Sequence, residues 1–223
     1  MGPNGELAVR VTPLSASGNK FDEGVDLVAV SIDAGAIWQK HAAPGRREWS
    51  PFVDTTVTPP RWLEPSQPRW VEPLAWDGRG ALYSFWTNGD GLWLARSADR
   101  GATWKSWRLA ESRDVLYFPY LVARDRGDLA ATWFPGRGET LQAHVARLEV
   151  GDADTPPRMI ESPPFQIDSW VSPPEEPPVR DTGGEYLAIT FLRDGGLAMV
   201  SPIQNEGAQR FGFSWWRIEV RGH

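Results

Sequence analysis

The sequence predicts an all-β fold assembled from repeated antiparallel sheets of about four strands, and three observations point there. Nearly every apolar stretch of the 223-residue chain is short and bounded by turn residues. No long segment carries apolar residues at helical spacing. A polar turn leading into a hydrophobic strand recurs along the chain. Strands joined by close-set turns, without helices, form a sandwich, a barrel or a propeller, and the recurrence helps to decide among these.

The strands come first. Leu27-Val28-Ala29-Val30, Ala81-Leu82-Tyr83-Ser84-Phe85-Trp86, Leu129-Ala130-Ala131-Thr132-Trp133-Phe134 and Tyr186-Leu187-Ala188-Ile189-Thr190-Phe191 have strand length and β-branched or aromatic content. The 22 Gly and 20 Pro residues supply the turns between them. Four polar turns align: Pro3-Asn4-Gly5, Asp77-Gly78-Arg79-Gly80, Asp125-Arg126-Gly127-Asp128 and Asp181-Thr182-Gly183-Gly184, each followed by a hydrophobic strand. The last three start about 50 residues apart, the length of one four-stranded propeller blade. The first interval is longer, and the excess lies in the Pro-rich stretch 44–68. A second Pro-rich stretch runs over 163–178, and both are too rich in Pro for central strands. The expected organisation is a single β-propeller domain with blades near 1–58, 66–112, 115–162 and 165–221. Met1 falls almost on the second strand of its repeat, which implies an incomplete or N-terminally truncated propeller.

Composition narrows the functions. Hydrophobic residues make up 41% of the chain, which is globular rather than disordered. A net charge of −6 excludes a bulk electrostatic grip on nucleic acid. With no Cys there is no disulfide or thiolate metal site. The opening Met1-Gly2-Pro3-Asn4-Gly5-Glu6 has no basic region followed by an apolar core, so no signal peptide is expected, and exported and cytoplasmic locations both stay open. No apolar run reaches the roughly 18 residues of a membrane helix. The three His residues are far apart and form no zinc motif. Gly-x-Ser-x-Gly and Walker patterns are absent. Asn88-Gly89-Asp90-Gly91 reads as a hairpin turn rather than a calcium loop. No cofactor or metal is expected.

One motif is more specific. Ser97-Ala98-Asp99-Arg100-Gly101-Ala102-Thr103-Trp104 reads Ser-x-Asp-x-Gly-x-Thr-Trp, and Ser31-Ile32-Asp33-Ala34-Gly35-Ala36-Ile37-Trp38 matches it with Ile in place of Thr. Each follows an apolar strand and leads into another. An Asp early in a turn accepts bonds from backbone N–H groups a few residues on. Gly at the tip supplies positive φ. The Ser and Thr hydroxyls satisfy further backbone groups, and Trp closes the hairpin by packing its ring. These segments resemble the Asp-box, or bacterial neuraminidase repeat, of the sialidase superfamily. Ser31, Asp33, Gly35, Trp38, Ser97, Asp99, Gly101, Thr103 and Trp104 are its structural residues. The resemblance implies a sialidase-like β-propeller in which the box joins the third and fourth strands of a blade, away from the ligand face. His144–Asp152 and Met199–Gly207 occupy the place of the box in the last two repeats.

The resemblance also implies a chemistry to look for: three arginines holding a substrate carboxylate, a Tyr nucleophile activated by Glu, and an Asp acid/base. Arg suits the first role because its planar fork pairs with a carboxylate. The family's Arg-Ile-Pro tripeptide is absent, and four repeats are fewer than the family's six blades. Candidate ligand-binding residues are Arg61, Arg69, Trp70, Arg180 and Arg193, in or beside the inter-blade loops. Candidate catalytic residues are Tyr117 and Tyr120, which open the third repeat, and Glu72, which opens the second. Among 13 Trp, Trp76, Trp86, Trp93 and Trp133 fall in strands, whereas Trp49, Trp62, Trp70 and Trp170 fall in loops where a ring can stack on a sugar. The expected function is a sialidase-like, glycan-recognising protein, an exo-glycosidase on acidic sugars if the site is live. The alternative is a non-catalytic Asp-box propeller that serves as an assembly scaffold. Partners are therefore a glycan or a protein.

Overall fold

A computed structural model describes residues 1–11, 26–45, 53–54, 61–62, 73–87, 91–111, 116–135, 142–151, 155–166, 188–205 and 210–220. Among them there is no helix, and all strand pairs are antiparallel. Sheet I is β1 (Leu7–Val11), β2 (Leu27–Ser31) and β3 (Gln39–Ala42). A two-stranded ladder follows, β4 (Val53–Asp54) with β5 (Arg61–Trp62). Sheet II runs in sequence order through β6 (Leu74–Trp76), β7 (Leu82–Thr87), β8 (Gly91–Ser97) and β9 (Lys105–Glu111). Sheet III is β10 (Leu116–Ala123), β11 (Asp128–Pro135), β12 (Gln142–Glu149) and β13 (Arg158–Glu161), with β14 (Phe165–Gln166) also on β12. Sheet IV is β15 (Ile189–Phe191), β16 (Leu197–Asn205) and β17 (Arg210–Ile218).

The sheets stack face to face in chain order, and alternation along each strand explains how. Val28 and Val30 of sheet I meet Trp76 and Leu82 of sheet II. The other face of sheet II, with Tyr83, Phe85, Leu92 and Leu94, meets Leu129, Ala131, Trp133 and Leu148 of sheet III. Ala130, Phe134 and Val145, on the opposite face of sheet III, meet Ile189, Leu197 and Met199 of sheet IV. Successive residues of a strand point to opposite faces, so a sheet buried on both sides needs near-continuous apolar sequence. All six residues of β7 are buried, as that requires.

One turn occurs four times and fixes the register. In Gly2–Glu6, Asp77–Ala81, Arg124–Asp128 and Leu192–Gly196 the first N–H donates to the fifth carbonyl, at 2.7, 3.0, 3.2 and 2.8 Å. In three of the four the fourth N–H donates back to the first carbonyl, Gly5 to Gly2 at 3.1 Å, Gly80 to Asp77 at 3.1 Å and Gly195 to Leu192 at 3.0 Å; in the Arg124–Asp128 turn the Asp128 N–H donates instead to Asp125 O at 3.4 Å. In each, a glycine holds positive φ: Gly5, Gly80, Gly127 and Gly195. Two residues later stands a leucine: Leu7, Leu82, Leu129 and Leu197. The fourth predicted turn, Asp181–Gly184, lies outside the described residues. The fourth turn of the described set is Leu192–Gly196, and it makes Met199–Asn205 part of a second strand rather than the place of a box. In sheet II the turn joins the first two of four strands and in sheet III the first two of five; sheet I has described strands only after its turn, and sheet IV has three.

Pro explains the broken edge of sheet III. Ser162 donates its N–H to Val145 O at 2.9 Å, continuing the ladder past β13. Pro163 and Pro164 then have no N–H to donate, and pairing resumes at Phe165. On the opposite edge the β10–β11 register shifts between Tyr117 and Tyr120, where Pro119 sits.

Candidate functional site

The two box turns are built alike. In the first, Ser31 donates its hydroxyl to Asp33 Oδ1 (2.7 Å) and accepts from the Gly35 N–H (2.8 Å). In the second, Ser97 donates to Asp99 Oδ1 (2.8 Å) and accepts from the Gly101 N–H (2.6 Å). Asp33 Oδ1 accepts from the Ile37 N–H, and Asp99 Oδ1 from the Thr103 N–H, both at 2.9 Å. Paired left-handed residues make each tip: Ala34 and Gly35, then Arg100 and Gly101. The second turn adds a bond that Ile37 cannot offer, Thr103 Oγ1 to Asp99 Oδ2 at 2.6 Å. The Asp99 carboxyl is accordingly held down to about 2, first by the Thr103 hydroxyl, then by the Thr103 N–H and Ser97. Asp33 is also lowered, chiefly by the Ile37 N–H. Trp38 closes its turn by donating Nε1 to Gly35 O at 2.9 Å.

These turns define one end of the stack. In sheet II, β6 runs into the Asp77 turn, β7 leaves it, and β8 returns to the box, so turn and box share an end. Asp77 is the hub there. Its Oδ1 accepts the Arg79 and Ala81 N–H groups at 3.0 and 2.9 Å. Its Oδ2 accepts the Tyr83 hydroxyl and, from sheet III, the Gly127 N–H, both at 3.1 Å. The Gly78 N–H reaches Arg124 O at 2.8 Å, and the Arg124 guanidinium lies over the Phe191 ring of sheet IV. Tyr83 with Asp77 is a buried tyrosine–carboxylate pair, which the sequence reading missed. Burial, then the Asp77 charge, pushes the phenol up. A nucleophile needs the reverse shift; what the same carboxylate does is tie sheet II to sheet III through the Gly127 N–H.

The other end is chemically different. Arg10, near the end of β1, points between sheets I and II. Its Nη1 donates to Ser84 Oγ at 3.1 Å, and its Nη2 donates to Asp26 Oδ2 at 3.1 Å and Pro44 O at 3.3 Å. Both charged side chains of the Arg10–Asp26 pair are almost fully buried. The sequence signal for it was a charge alternating with Ala8 on an inward face. Aromatic rings gather at this same end. Trp86 stacks on Trp93 with centroids 6.0 Å apart. Trp133 lies 6.2 Å from Phe85 and 5.4 Å from the His144 ring. Trp86 and Trp133 are buried, whereas Trp93 and His144 keep part of their rings at the surface. Burial pushes the His144 imidazole below its ordinary range, against the charge of Glu161.

The predicted site residues distribute unevenly. Arg61 lies in β5 opposite Asp54, and Trp62 opposite Val53. Tyr117 lies in β10 opposite Phe134. Tyr120 is half-buried against the core shared by sheets III and IV. Arg193 is exposed in the β15–β16 turn, at the box end and within one sheet rather than between two. Glu72, Arg69, Trp70 and Arg180, with Trp49 and Trp170, lie outside the described residues. The two described candidate arginines, Arg61 and Arg193, belong to separate sheets, and among the described residues no group of His, Asp and Glu side chains forms a metal site. No helix among them is long and apolar enough to cross a membrane. Compared with models of known protein families and with curated proteins, the chain matches none.

Proposed function

We propose that this chain is a sialidase-like β-propeller module that recognises glycans at the end of the stack opposite its Asp-box turns. The observation that carries the reading is the matched pair of hydrogen-bond networks at Ser31–Trp38 and Ser97–Trp104, one in each of two adjacent stacked sheets. It supports radially repeated blades, with the box end committed to structure. The opposite end supplies what sugar recognition uses: the partly exposed Trp93 stacked on Trp86, and the guanidinium of Arg10 nearby. Indole faces stack on sugar C–H groups, and arginine forks hold a carboxylate.

The test is a titration with a sialylated trisaccharide and its neutral counterpart, read by protein NMR shifts. Saturable shifts with the acidic sugar, weakened by Trp93→Ala, are expected; no binding of any acidic glycan overturns the reading. Turnover of a fluorogenic sialoside would add exo-glycosidase activity to recognition. A second reading, a non-catalytic assembly scaffold, draws support from the exposed apolar side chains on the outermost sheets, Val9, Val11 and Trp38 on one and Val200 and Trp215 on the other.

A further inference from the structure

The four repeated turns give every strand position an equivalent in the other sheets. Four residues beyond the turn glycine stand Val9, Ser84, Ala131 and Met199. Each faces the preceding sheet. Ser84, Ala131 and Met199 are wholly buried, while Val9 is 47% exposed. Five residues beyond the glycine stand Arg10, Phe85, Thr132 and Val200, which face the following sheet. Their partners on the third strand of the repeat are Val28, Leu94, Val145 and Trp215. The first three of these partners are 0% exposed, and Trp215 is 65% exposed. Sheet I therefore leaves exposed, at Val9, Val11 and Trp38, part of the face by which sheets II to IV each rest on a predecessor, with Ala29 buried between them. Sheet IV bares the face by which sheets I to III each receive a successor.

The interface between sheets I and II says what fits. A β-carbon placed on Gly101 would lie 3.5 Å from Val28 Cγ1 and 3.7 Å from Val30 Cγ2, so the second box rests directly on sheet I. A β-carbon on Gly35 would meet only Leu7 and Trp38 of its own sheet. Trp215 occupies the Val28 position. The free half of one repeat interface and the free complementary half thus sit on the same chain, at opposite ends of the stack.

We propose that a second copy of this chain covers these faces head to tail: sheet I of one copy, through Val9, Val11 and Trp38, packs on sheet IV of the other, through Val200 and Trp215. The occupant is a copy because the three interfaces inside the chain already have this polarity, and this one continues their series. Two such contacts, related by a two-fold axis, close the pair and leave neither apolar face in water. The inference rests on repeat equivalence and not on what the far end binds.

Sedimentation velocity at micromolar concentration tests it. The wild-type chain is expected as a dimer. Val9→Glu spoils one face and Trp215→Glu the other, so each variant alone is expected as a folded monomer by circular dichroism. An equimolar mixture regains a dimer weaker than the wild type's, because sheet IV of the Val9→Glu copy and sheet I of the Trp215→Glu copy restore one of the two contacts while the other carries both Glu. Val11→Glu with Val200→Glu repeats the design at separate positions. A monomeric wild type overturns the proposal, as does either variant dimerising alone or a mixture that stays monomeric.

Discussion

At the scale of single residues, the two box aspartates differ by one hydroxyl, and that difference is measurable. The folded Asp99 carboxyl titrates at about 2 against an ordinary 3.8. Its folded value lies below its unfolded one, so its contribution to stability is complete above pH about 4 and is lost as pH falls toward about 2. Asp99→Asn is expected to flatten the fall of unfolding free energy across that window, measured by urea unfolding at several pH values. Asp33→Asn flattens it less, because Ile37 offers no counterpart to the Thr103 hydroxyl. Equal slopes for wild type and Asp99→Asn would remove the argument. Arg10 and Asp26 raise a different question, since both are buried. Asp26→Ala removes the carboxylate from a desolvated guanidinium and is expected to cost about 3–5 kcal/mol. Arg10→Met combined with Asp26→Leu should recover most of that loss in the same unfolding measurement. A double variant no more stable than Asp26→Ala would mean that polar bonds, rather than unbalanced charge, dominate there.

Among the elements, the repeated turn separates two costs of a side chain at positive φ. Gly5 has φ 88° and open space around it, so Gly5→Ala carries backbone strain alone, about 1–2 kcal/mol. Gly127 has φ 64°, and a β-carbon there would lie 2.0 Å from Val150 O. The same carbonyl group's residue donates its N–H to Gly127 O at 2.7 Å, so the clash cannot relax without breaking that bond. Gly127→Ala is therefore expected to lower the unfolding midpoint clearly further than Gly5→Ala. Equal midpoints would show that the loop after β12 gives way freely. Both box turns, the Asp77 turn and the strands around them were legible in the sequence, because Asp, Gly and the following apolar run encode them locally. The fourth turn was not. Asp181-Thr182-Gly183-Gly184 and Arg193-Asp194-Gly195-Gly196 carry the same local chemistry, and only the register of β16, with Leu197 packed inward, identifies the second as the repeat. Nor did the sequence reveal that Phe165 and Gln166 rejoin sheet III, since the pairing skips two prolines and depends on β12.

At the scale of the whole molecule, legibility divides along the stack. The box end was readable because its hydrogen bonds run between residues close in sequence. The opposite end was not, since the buried Arg10 there draws on Asp26, Pro44 and Ser84, residues that no local motif links to it. The stack itself is uneven. Among the described residues, the core between sheets II and III holds fourteen that are buried, and that between sheets I and II holds five. Local opening follows buried apolar contact, so amide exchange should be slowest in β7, β8, β11 and β12 and faster in β1 to β3. Hydrogen-exchange mass spectrometry on the dilute chain checks this order, and uniform protection across sheets I to III would contradict it. The same experiment run at rising concentration joins this gradient to the head-to-tail pairing. A face buried by a copy gains protection by mass action. Slowing confined to sheets I and IV, with sheets II and III unchanged, is the pattern that contact requires, because only those two sheets have a free half-interface to offer.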